Sequence, residues 1–140
     1  MGEGLLARTL PREEWTHEAH LAATLYLIVR RPDIDLDAEL PAIIRGYNEA
    51  VGGVNDDRQG YHDTITRTYL AGVRWFVREK RCAGLIEQVN ALLLSEVGSR
   101  EWPLRFYSRE RLFSVEARRR FVKPDLQPLP QVSKNWGARQ

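Results

Sequence analysis

The chain is poor in the residues that most often carry chemistry: it has one cysteine, one methionine and three histidines among 140 residues. A lone thiol, Cys82, excludes an internal disulfide framework and a Cys-rich zinc module. Long apolar runs are missing as well. The longest, Leu25 to Val29, falls far short of the ~20 residues that span a bilayer, which predicts no membrane partner. Residues 1–10 lack the basic start, apolar centre and small-residue cleavage site of a secretion signal, so a cytoplasmic location is expected. No GxGxxG, Walker A, G-x-S-x-G or H-E-x-x-H sequence occurs, which leaves the dinucleotide, P-loop, α/β-hydrolase and zincin chemistries without a signature.

What is present is an average globular composition, 43% hydrophobic and 29% charged with a net charge of +2, enough for one domain over 1–140. The apolar spacing is helical throughout, with no strand-like alternation and no internal repeat. A first helix is predicted from Pro11, with Glu13 and Glu14 in its first turn, to Arg31-Pro32. A second follows Asp35, its regular part starting near residues 38–40 so that Pro41 falls in the first turn, and stops at Gly52-Gly53. After the loop Val51 to Gly60, a third runs from Tyr61 to Lys80 and a fourth from Leu85 to Gly98. A short fifth opens at Ser108 and carries Leu112, Val115 and Phe121 inward. The expected fold is all-α: a four-helix up-down bundle with a short fifth helix, extended residues 1–10, and an extended Pro-rich tail over 124–140.

Charge is unevenly placed. Residues 1–70 hold 7 Lys and Arg against 12 Asp and Glu, whereas residues 71–140 hold 14 against 7. The basic residues are scattered along helices, which favours pairing with the acidic half of the same fold. The rival use is a partner: Arg105, Arg109, Arg111 and Arg118 to Arg120, interleaved with Trp102, Phe106 and Tyr107, could contact a protein or nucleic acid. A pI of 8.9 and the lack of a helix-turn-helix signature argue against nucleic acid. Gly72 and the opposed charge halves permit a helix-packed homodimer.

The histidines are the main functional clue. His17 and His20 lie three apart, so on a helix they are neighbours, and Glu14 extends the series to E-x-x-H-x-x-H. His62 continues the stripe of Ile65, Tyr69, Gly72 and Phe76 at the start of the third helix. In an up-down bundle these positions share one end. Three imidazoles there match the open ligand set of a catalytic divalent metal such as zinc, nickel or iron, with a water completing the shell, and a small-molecule ligand is one expected partner. Glu14 is then the expected general base of a hydrolase-like reaction. Glu18, Tyr47, Asn48, Tyr61, Asp63 and Thr64 are expected to line the pocket or orient the ligands. The alternative is a metal-free binding or interaction module with structural histidines.

The words W-x-H-x-x-H (Trp15, His17, His20), Y-N-E-A-V-G (Tyr47 to Gly52) and G-Y-H-D-T (Gly60 to Thr64) resemble an uncharacterised family of small bacterial helical proteins. That resemblance implies that these words belong together, and it carries no settled activity. The general plan is also similar to the DinB-like bundles, which hold a metal with three histidines. There the paired histidines are four apart and late in the chain, whereas here they are three apart and early.

Overall fold

The computed structural model describes residues 2–80 and 84–130, so Cys82 and Trp136 lie outside the described residues. Those residues form helices and turns with no strand among them. The order is α1 (Gly2–Ala7), a 3-10 turn (Arg12–Glu14), α2 (His17–Arg30), α3 (Leu36–Ala50), α4 (Asp63–Glu79) and α5 (Leu85–Leu94). Two further 3-10 turns (Glu96–Gly98 and Trp102–Arg105) lead to the short α6 (Arg109–Leu112) and α7 (Val115–Arg119).

The all-α expectation holds, and several of its details change. Within the first ten positions, residues 2–7 are helical rather than extended, and α1 buries Leu5 against the bundle. Two glycines give that segment little helix propensity of its own, so tertiary packing makes it helical. The first long helix starts at His17 rather than Pro11. Thr16 is its cap, its hydroxyl accepting from the Ala19 N–H at 3.1 Å, and Glu13 and Glu14 stay in the preceding 3-10 turn.

In α3 the helix already begins at Leu36, capped by Asp35, so Pro41 lies past the first turn. Proline leaves the carbonyl four residues back without its helical donor. That carbonyl belongs to Asp37, and the Arg67 guanidinium donates to it at 3.2 Å. The predicted fifth helix is split at Ser114, whose hydroxyl accepts from the Ala117 N–H at 3.1 Å and so caps α7 instead of continuing α6. Val115 and Phe121 are consequently 45% and 40% exposed, and only Leu112 of that stripe is buried.

Two apolar clusters share α2 and α4 as a common wall. On one side α1, α3 and Leu10 pack against Ala23, Leu27 and Leu70. On the other, α5, Val97, Trp102, Phe106, Tyr107 and the α6–α7 segment pack against Leu21, Leu25, Val73 and Phe76. The most extensively packed helix pairs are therefore α2 with α4, α2 with α5 and α4 with α7, rather than chain neighbours. Gly72 serves this second cluster. A Cβ there would come 2.5 Å from the Trp102 ring, so the indole occupies the surface that a dimer contact at Gly72 would need.

The acidic and basic halves pair within the chain, through Arg74 with Asp37 and Arg119 with Asp57. The prolines after α7 sit in an irregular segment that folds back. The Leu126 N–H donates to the Phe106 carbonyl at 2.9 Å, and Asp125 accepts from both the N–H and the hydroxyl of Ser108.

Candidate functional site

His17 and His20 occupy the first turn of α2, and together they line a cavity of about 300 Å³. Its wall is completed by Leu21 and Thr24 from α2, Ile44 from α3, Ile65, Thr66 and Tyr69 from α4, and Arg100. First-turn residues of α2 and α4, His17, His20, Ile65 and Thr66, therefore line one cavity. His62 does not join them.

The hydrogen bonds explain the separation. His62 is the N-cap of α4, its Nδ1 accepting from the Ile65 N–H at 3.1 Å. A nitrogen that accepts here carries no proton, so Nε2 is the N–H, and it donates to the Leu112 carbonyl at 2.8 Å. Both ring nitrogens are thus committed, in a side chain that is only 7% exposed. Burial holds the His62 pKa below its ordinary value, in keeping with a neutral ring. A metal ligand at this position would have to give up both bonds. Among the described residues there is no group of three or more His, Cys, Asp or Glu side chains able to hold a metal ion. The three-histidine centre expected from the sequence does not fit this geometry.

His17 and His20 are bound differently. The partner of each is a backbone carbonyl, which only accepts, so the facing ring nitrogen must be the N–H. His17 Nε2 donates to the Gly98 carbonyl at 2.9 Å, and His20 Nδ1 donates to the Thr16 carbonyl at 2.8 Å. When neutral, each ring therefore keeps one unprotonated nitrogen: Nδ1 of His17 and Nε2 of His20. Burial pushes the His20 pKa down, which favours that neutral form. Aromatic contacts fix both rings. Trp15 lies against His20 with centroids 3.7 Å apart, and Tyr69 meets His17 edge-on at 5.4 Å. The Tyr69 hydroxyl donates to the Ser99 carbonyl at 2.6 Å, and burial pushes its pKa up.

The other expected site residues are mostly structural. Glu14 is exposed in its 3-10 turn and is not part of the cavity wall, so the place assigned to a general base there is empty of it. Glu18 is exposed on α2, 3.9 Å from Arg100. Tyr47 is completely buried, its hydroxyl donating to the Leu10 carbonyl at 2.7 Å. Asn48 donates to Asn55 Oδ1 at 3.1 Å. The Tyr61 hydroxyl donates to Asp63 at 2.6 Å, and Asp63 is also bridged by Arg67. Thr64, completely buried, donates to the Arg120 carbonyl at 3.0 Å and accepts from the Val122 N–H at 3.1 Å. His62 and Thr64 thus anchor the C-terminal segment onto the start of α4.

Two residues outside the predicted set matter more. Asn55 organises the loop before α4: its Oδ1 accepts from Asn48 and from the Tyr61 N–H, while Nδ2 donates to the Arg45 carbonyl and to Glu49. Arg100 brings a cation to the histidine cavity from a point eighty residues further along the chain. Its sequence surroundings, G-S-R-E-W, carry no pattern that points to His20. Comparison with known proteins finds no matching family model, no matching curated protein and no matching solved structure.

Proposed function

We propose that this protein is a metal-free small-molecule-binding module whose ligand occupies the cavity at the start of α2. The observation that carries the reading is the state of the two imidazoles. Each spends one N–H on a backbone carbonyl, and each retains an acceptor nitrogen on a side chain that lines a cavity of about 300 Å³. Leu21, Ile44, Ile65 and the Tyr69 ring supply apolar area for a small organic body. The imidazole nitrogens supply directional acceptors for its hydroxyl or amine.

A divalent cation such as zinc, nickel or iron is the second reading, favoured by the i,i+3 spacing of two imidazoles that each keep a nitrogen uncommitted. Amide and imidazole NMR spectra, recorded while zinc and a panel of small hydroxylated aromatic and aliphatic compounds are added in turn, separate the two. Binding of an organic compound moves the signals of His17, His20, Ile65 and Tyr69 together, and the His17→Ala/His20→Ala double variant abolishes the change. Stoichiometric zinc binding that depends on the same two histidines favours the second reading. If neither zinc nor any panel compound moves these signals, both readings fail.

A further inference from the structure

Building on that reading, we infer that the ligand is a small carboxylate with an apolar body and a hydroxyl group, and that Arg100 is the residue that selects for the carboxylate. Among the described residues, Arg100 is the one permanently charged side chain on the cavity wall. Its place is set by two successive carbonyls immediately before it. Gly98 is held by His17 Nε2 and Ser99 by the Tyr69 hydroxyl, both from the cavity wall itself. The backbone that carries Arg100 is therefore held by two residues of the cavity wall.

Its nearest acid leaves it largely free to bind something else. Glu18 lies at 3.9 Å, beyond hydrogen-bonding distance, and both side chains are more than half exposed. A guanidinium with open donors beside an apolar cavity is matched by a carboxylate, which it can meet with two parallel hydrogen bonds. The body of the ligand lies on the Ile44, Ile65 and Tyr69 surface. On the same wall His17 and His20 each keep an acceptor nitrogen, which a donor on the ligand would match, and a hydroxyl is the smallest neutral one. A volume near 300 Å³ limits the whole molecule to roughly ten to fifteen non-hydrogen atoms.

The test is a matched set of probes measured by calorimetry and NMR on the full chain. It comprises 4-hydroxyphenylacetate and 2-hydroxy-4-methylpentanoate, each with its neutral primary amide and its O-methyl ether. The carboxylates are expected to bind about tenfold tighter than their amides. Arg100→Gln should remove that tenfold advantage while leaving amide affinity unchanged, so a general loss of folding cannot imitate the result. Glu18→Gln, which removes the competing acid, should tighten carboxylate binding two- to fivefold. The methyl ethers should bind more weakly than the hydroxy acids in the parent protein. Equal affinity of acids and amides, with Arg100→Gln silent, overturns the carboxylate assignment but leaves the cavity as a ligand site. Failure of every probe to move the His17 and His20 signals overturns both.

Discussion

The two sets of histidines occupy neighbouring helix starts and have opposite chemical states. At His62 every polar valence is used: one nitrogen caps α4, the other holds the Leu112 carbonyl, and Thr64 beside it spends its hydroxyl twice on the C-terminal segment. At His17 and His20 one nitrogen per ring is used and one is left over. Residue type and position on an apolar stripe are alike at the two places. What separates them is whether both nitrogens find protein partners. At His62 the Ile65 N–H and the Leu112 carbonyl take one each, whereas at His17 and His20 a single carbonyl, of Gly98 and of Thr16, takes one nitrogen and a cavity lies beside the rings.

The largest effect expected from breaking this contrast comes from His62→Ala. It removes the cap of α4 and strands a buried carbonyl, at a cost of about 2–4 kcal/mol in chemical unfolding. Acid should act in the same direction. The native His62 pKa is lowered by burial, so the unfolded chain takes up the proton first. Stability is therefore full above the unfolded value of about 6.5 and declines as pH falls below it towards the native value. His62→Asn, which keeps a capping acceptor, should flatten that acid slope while losing less stability than the alanine variant.

Gly72→Ala comes next. The added methyl lands against Trp102 and should cost about 1–3 kcal/mol, with a shift in tryptophan emission. If the variant instead dissociates a dimer at unchanged monomer stability, Gly72 faces a partner and not the indole. Thr64→Val leaves the Val122 N–H without its acceptor and should cost about 1–2 kcal/mol. Amide hydrogen exchange should then accelerate first in residues 115–122. The smallest effect is expected at the other histidines. His20→Gln should change stability by less than about 1 kcal/mol, because its one native bond is to a carbonyl that also takes part in the first helical turn. Its consequence should appear in ligand binding.

The long helices are legible in the sequence because their apolar periods are strong and their stops, at Pro32 and Gly52-Gly53, are explicit. α1 is not, because two glycines hide a helix that packing stabilises, and neither is the break at Ser114, whose hydroxyl prefers to cap. For the site, the i,i+3 pairing of His17 and His20 was legible because spacing alone decides it. The direction of His62 was not, since it depends on a bond to Leu112 fifty residues away. Arg100 was equally hidden: its role comes from where the carbonyls of Gly98 and Ser99 are held.

The central claim is that one histidine is saturated and two are not, and long-range proton–nitrogen NMR of the three imidazoles tests it directly. The hydrogen bonds predict the tautomer of each neutral ring: Nε2–H for His62, Nε2–H for His17 and Nδ1–H for His20. Binding of a hydroxy acid should shift Nδ1 of His17 and Nε2 of His20 while leaving both His62 nitrogens unchanged. A His62 nitrogen that moves together with the other two would contradict the account and restore a three-histidine site.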